Sequence, residues 1–174
     1  MKKSRRVLLY GFGPYKQFRD NITAKIIKSL PRQPGLRKIV FPVRFDRRQF
    51  VESLGRFKPD VIVGLGQSSR RRIEVESQAK NRRRSSKAKR ARAIAHSSGP
   101  TRLKTTLQLK LGRQAGRSEN AGDYVCNFSM YVILAELRRK GGEVPYGFIH
   151  IPHDCDWMRA KSLVVKIIRQ CQRG

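Results

Sequence analysis

Four short apolar runs, spaced by stretches of helical periodicity, constrain the fold of this chain more than any other feature. Val7-Leu8-Leu9-Tyr10 ends at Gly11, and Lys38-Ile39-Val40-Phe41-Pro42-Val43 follows. Asp60-Val61-Ile62-Val63-Gly64-Leu65-Gly66 is apolar on both faces, and Tyr146-Gly147-Phe148-Ile149-His150-Ile151-Pro152 completes the set. Such runs read as strands buried inside a sheet. From Asn21 to Leu30, residues Ile22, Ala24, Ile26, Ile27 and Leu30 form the inner face of a helix that Pro31 and Pro34 stop. Asp46 caps a second helix from Arg47 to Phe57. Met130, Val132, Ile133, Leu134 and Leu137 mark a third. Leu163, Val164, Ile167 and Ile168 mark a fourth, from Trp157 to Cys171. Ile73-Glu74-Val75-Glu76 alternates like a short strand. Strands alternating with helices predict the α/β class, here a three-layer α/β/α arrangement with a mostly parallel central sheet. A length of 174 residues predicts one domain, 1–174, able to bury a real core. No internal repeat is visible.

Charge bears on the surface rather than the fold. The chain carries 40 Lys+Arg against 12 Asp+Glu, a formal net charge of +28. That balance predicts non-specific attraction to polyanions such as nucleic acid. From 77 to 118 there are thirteen Lys or Arg and no acid. Within that stretch Arg82-Arg83-Arg84-Ser85-Ser86-Lys87-Ala88-Lys89-Arg90 predicts a solvated or disordered basic loop at about 82–99, with His96 inside it. It lacks the interleaved aromatics on which single-strand binders stack bases. The basic start of the chain is followed by only Val7 to Tyr10 before Gly11, too short for an export signal, and no stretch reaches the length of a membrane span. A cytoplasmic location without membrane attachment is the expectation. Cys126, Cys155 and Cys171 include no close C-x-x-C pair, so structural zinc is not expected and a reducing compartment is.

Cys126 stands where a loop enters the third helix. Unpaired N–H groups and the positive end of the helix dipole converge there, and both favour thiolate, the nucleophilic form. In open α/β sheets, sites gather at the carboxyl ends of strands. Phe12 and Tyr15 follow the first strand, Gln67 follows the third, and His150 ends the last. His153 is near enough to compete with His150 as a base, and Glu74 shares a strand face with Glu76.

These segments carry a resemblance. Gly11-Phe12-x-Pro14-Tyr15 followed by Asn21, Lys58-Pro59-Asp60-Val61 leading to Gly66-Gln67, and Ile73-x-x-Glu76-x-x-Ala79-x-Asn81 resemble three segments of the pyroglutamyl peptidase I family of cysteine peptidases. Asn120-Ala121-Gly122-x-Tyr124-Val125-Cys126-Asn127 resembles its nucleophile motif, and Gly147-Phe148-Ile149-His150-Ile151-Pro152 its histidine motif. The resemblance implies a catalytic triad of Cys126, His150 and Glu76, with Phe12, Tyr15 and Gln67 around the substrate ring. It implies removal of an N-terminal pyroglutamyl residue from a peptide through a thioester, without metal or organic cofactor, and it accommodates a homo-oligomer. The chain departs from the family pattern after Asn81, where a basic run replaces an Asp-Ala-Arg-Ile-Pro-Asp-Asn segment. It departs again at Ser68-Ser69-Arg70-Arg71, where a glycine pair is usual. Two other readings compete: a catalytically altered or inactive relative that binds nucleic acid through its basic surface, and a phosphorylase-like transferase, which lacks the Gly-rich phosphate loop it would need.

Overall fold

The computed structural model describes residues 4–15, 19–95 and 99–173. Strands Val7–Phe12 (β1), Leu36–Phe41 (β2), Val61–Ser68 (β3), Glu74–Glu76 (β4), Gly116–Ser118 (β7) and Tyr146–Pro152 (β8) build one six-stranded sheet in the order β2-β1-β3-β8-β4-β7. Every pairing is parallel except that of β4 with β8. Gln78–Lys80 (β5) and Arg102–Lys104 (β6) form a separate antiparallel pair.

Alternation along the strands sorts the core into two halves. Leu8, Tyr10 and Phe12 of β1, Ile62 of β3, and Tyr146 and Phe148 of β8 face helices Arg47–Phe57 (α2) and Val125–Arg139 (α3). Val7, Leu9, Val61, Val63, Leu65, Ile149 and Ile151 face helices Ile22–Ser29 (α1) and Trp157–Arg173 (α4). These are the three layers expected from the sequence. Asn21 caps α1 through its Oδ1, which accepts from the Thr23 N–H, and Asp46 caps α2 by accepting from the Arg48 N–H. Helix α3 is apolar beyond one stripe because it is covered twice, by the main sheet and by the β5–β6 pair.

Differences from the sequence reading are local. Strands β1 and β3 run two residues further than their apolar cores, carrying Phe12 and Gln67 out of the sheet's end in extended geometry. Strand β4 runs against its neighbour β8, so a short antiparallel element interrupts the parallel sheet. Three-residue strands such as β5, β6 and β7 are too short to show a period. The basic segment is solvent-facing but held: Arg83 and Arg92 exchange backbone hydrogen bonds at 2.8 and 2.9 Å, and the Arg83 guanidinium lies over the Phe45 ring. His96 lies outside the described residues. Among the described residues no helix is long and apolar enough to cross a membrane.

Candidate active site

The site assembles on the α3 face of the sheet, at the carboxyl end of β8. The period of two that buries Tyr146 and Phe148 on that face puts His150 there as well. Gly66 of β3 is the register partner of His150. Because Gly66 has no Cβ, the Cys126 sulfur fits over it: a Cβ there would lie 2.8 Å from Sγ. Cys126 is the second residue of α3, whose cap residue Tyr124 makes no side-chain capping bond. The sulfur and the His150 ring are close enough to interact electrostatically. On the other side of the ring, Nδ1 of His150 donates to Glu76 Oε1 at 2.6 Å. With Nδ1 engaged, Nε2 is the nitrogen left for the sulfur.

The pair is buried: His150 is 4% exposed and Glu76 0%. Burial pulls the His150 pKa down, but the sulfur and the Glu76 carboxylate outweigh it and push it from 6.5 up to about 9. Burial likewise works to raise the Glu76 carboxyl. Bonds from His150 and Ser118 and the charge of Arg70 reverse that and hold it below its ordinary 4.5. Both neighbours favour the imidazolium form of His150, the counter-ion arrangement that a thiolate nucleophile needs.

Each sequence-derived candidate has a defined place. Cys126, His150 and Glu76 meet in one chain of contacts. Phe12, Tyr15 and Gln67 line a cavity of about 230 Å³ that opens on Cys126, with Val43, Tyr124 and His153 among its other walls. Phe12 is mostly core, 2% exposed and packed edge-on against Tyr10 and Phe50. Tyr15 stacks obliquely on Tyr124, their ring centroids 5.4 Å apart. Gln67 Oε1 accepts from the Ile22 N–H at 2.9 Å, so it ties the start of α1 to the cavity rim. The two alternatives separate as well. Glu74 is the register partner of His150, but its carboxylate bonds Arg70 and lies near Arg72, and His153 leans on the Ser68 carbonyl oxygen. Cys171 is core, and Cys155 is half-buried.

Sequence reasoning missed three supports. Arg70 donates to Glu76 and to Ser118 on β7, and it bonds the Asn120 carbonyl oxygen. Asn127, wholly buried beside Cys126, donates to the carbonyl oxygens of Lys80 and Arg82 and accepts from the Lys80 N–H. It clamps the root of the basic segment to α3. Gly66 is the third, and it left a signal: Gly64-x-Gly66 inside an apolar strand marks close approach to one sheet face.

Similarity to known proteins agrees with this geometry. The pyroglutamyl peptidase family model matches residues 5–162. Pyrrolidone-carboxylate peptidase 1 of Saccharolobus solfataricus is 29% identical over 84% of this chain and 78% of its own length. A pyrrolidone-carboxylate peptidase of Halalkalibacterium halodurans is 30% identical over 84% of this chain and 83% of its own. Among solved structures, a mutant pyrrolidone carboxyl peptidase from Pyrococcus furiosus superposes with a TM-score of 0.83 at 25% identity, covering 95% of this chain and 97% of that one. The pyrrolidone carboxyl peptidase from Thermococcus litoralis, at 21% identity and a TM-score of 0.82 over 97% of this chain and 93% of its own, shares the fold. A buried sulfur–imidazole–carboxylate line, on this sheet order and in a chain matched almost end to end, makes this protein a member of the pyroglutamyl peptidase family.

Proposed function

We propose that the protein is a cysteine peptidase that removes N-terminal pyroglutamyl residues, with Cys126 as nucleophile, His150 as acid and base, and Glu76 as the group that orients His150. The observation that carries this is the His150 Nδ1–Glu76 Oε1 bond at 2.6 Å together with the Cys126 sulfur seated over Gly66, the register partner of His150. The thiolate attacks the carbonyl carbon of the pyroglutamyl amide bond. Negative charge gathers on the carbonyl oxygen, and the first N–H groups of α3, which lack intrahelical partners and flank Cys126, are the donors at hand for it. His150 Nε2 gives its proton to the leaving amine, and a thioester on Cys126 remains. Water then attacks the thioester, His150 takes its proton, and the thiolate leaves. Phe12 and Tyr15 supply flat aromatic walls for a lactam ring and Val43 an aliphatic one, and the Gln67 amide N–H is left to bond its oxygen.

The test is turnover of a pyroglutamyl amide against the same amide with an unblocked glutamine. Cys126→Ala should abolish hydrolysis while leaving the circular dichroism spectrum intact. Retained turnover in that variant, or equal turnover of the unblocked control, overturns the assignment.

The same surface supports non-specific polyanion attraction. Arg82, Arg84, Lys89, Arg90 and Arg92 ring an open cleft of about 470 Å³. Asp123 is the acid paired with two of them, Arg82 and Arg84. Three free thiols suit a reducing compartment such as the cytoplasm. Self-association belongs to the same reading, and sedimentation measures it.

A further inference from the structure

We infer that Arg70 is a positioning residue of the site: one guanidinium, on the loop between β3 and β4, fixes the Glu76 carboxylate and the loop that carries Cys126 in a single register. The inference rests on the hydrolase reading above. Arg70 Nη1 donates to Glu76 Oε1 at 2.7 Å and to Ser118 Oγ at 3.0 Å, and it bonds Glu74 Oε2 as well. Its Nη2 donates to the carbonyl oxygen of Asn120, the residue that opens the loop into Cys126. The Ser118 hydroxyl also accepts from the Asn120 N–H at 3.1 Å. Residues 74–76, 118 and 120 thus meet on one planar fork, which a lysine could not serve because it offers a point charge on a flexible stem.

Charge balance alone does not account for this placement. Glu74 has a second cation, Arg72, 3.7 Å away, and the Arg70 side chain is only 29% exposed against carboxylates at 15% and 0%. The decisive feature is that Arg70 and His150 donate to the same oxygen, Glu76 Oε1. Negative charge drawn toward Arg70 is withheld from the imidazolium. Arg70 therefore keeps Glu76 ionised and oriented while limiting how firmly it holds the His150 proton, which must leave with the amine.

The groups that set this balance come from every element around it. Cys126 faces His150 from α3 and Glu76 faces it from β4. Ser118 stands opposite Glu76 on β7 and Arg70 reaches Glu76 from its loop; Glu74 stands opposite His150 on β4 with its carboxylate on Arg70, and Arg72 lies behind Glu74.

The experiment is an NMR titration of the His150 ring protons in the full chain, with kcat and KM for a pyroglutamyl amide measured alongside. Arg70→Gln should raise the His150 midpoint by about 1 unit and lower kcat about tenfold or more with KM little changed. Glu74→Gln, which leaves Arg70 more fully on Glu76, should move the midpoint down. Arg70→Lys should keep the midpoint near wild type yet still lose kcat. A midpoint that stays put in both the Arg70→Gln and the Glu74→Gln proteins overturns the inference. Should Arg70→Gln fail to fold, the Glu74→Gln midpoint and the Arg70→Lys kcat decide it alone. Opposite midpoint shifts in an enzyme that hydrolyses no pyroglutamyl amide would uphold the role of Arg70 and remove the proposed reaction instead.

Discussion

Gly66 decides where the Cys126 sulfur can stand. An added methyl would come within 2.8 Å of both Cys126 Sγ and the Phe148 ring. Neither can retreat easily, because Phe148 is fully buried and Cys126 is fixed in the first turn of α3. Gly66→Ala should therefore displace the sulfur from His150. The expected outcome is a loss of about 100-fold in kcat/KM, slower iodoacetamide labelling of Cys126, and about 1–3 kcal/mol of stability by urea unfolding. Gly55→Ala is the control: its Cβ would meet nothing within 4 Å on the exposed side of α2, so stability should rise by up to about 1 kcal/mol with turnover unchanged. Labelling also ranks the thiols: Cys126 should react before Cys155, whose thiol burial pushes up. At this scale the sequence was informative where a residue's type is its chemistry. Cys126, His150 and Glu76 announce themselves by motif. Arg70 does not, because one arginine among three in a row is selected by the register of β4 against β7 and β8, and that register is set by contacts far along the chain.

Beneath α3 a chain of three buried hydroxyls ties elements together. Ser129 donates to the Cys126 carbonyl oxygen at 2.8 Å, Tyr10 of β1 lies 3.1 Å from Ser129, and Tyr146 of β8 lies 2.7 Å from Tyr10. Since Ser129 has spent its only proton, Tyr10 must donate to Ser129 and Tyr146 must donate to Tyr10. Direction makes the middle member the costly one to remove. Tyr10→Phe strands the buried Tyr146 hydroxyl and should cost about 1–3 kcal/mol, whereas Tyr146→Phe removes one bond and should cost about 1 kcal/mol. The double variant should cost less than the sum, read by urea unfolding. The bond between β8 and β4 gives a pH signature of its own. The His150 pKa in the folded protein, about 9, lies above the unfolded 6.5. Its contribution to stability is thus full below pH 6.5 and is lost as pH rises toward 9. Glu76 has the opposite sign: its folded pKa lies below 4.5, so its contribution is present above that value and lost as acid protonates it. Unfolding free energy should fall across pH 6.5 to 9, and the fall should shrink in Cys126→Ala, where the sulfur no longer supports the imidazolium. Four helices and the long strands were legible because each buries a periodic face. The antiparallel turn of β4 was not, since three alternating residues fit either direction and only the partner strand chooses.

At the scale of the molecule the question is how so basic a segment is joined to the helix that carries Cys126. Composition revealed the charge but not its anchoring. Asn81 accepts from the N–H groups of Ile94 and Ala95, and Arg84 pairs with Asp123 at 2.9 Å. Through Asn127 the root of the segment is fastened to the helix that bears Cys126. The root is thus part of the scaffold, while residues 85–90 are the solvated tip. Deleting Ser85 to Arg90 removes Lys87, Lys89 and Arg90 and spares the Arg83–Arg92 pairing. If the tip contacts phosphates, the slope of log affinity for a single-stranded oligonucleotide against log salt should become shallower by about 2. Turnover of a pyroglutamyl amide should be unaffected, because every bond between the segment and α3 survives. A deletion protein that binds the oligonucleotide with an unchanged slope would place the attraction elsewhere on the +28 surface. One that loses turnover would mean that the tip, and not only its root, shapes the cavity around Cys126.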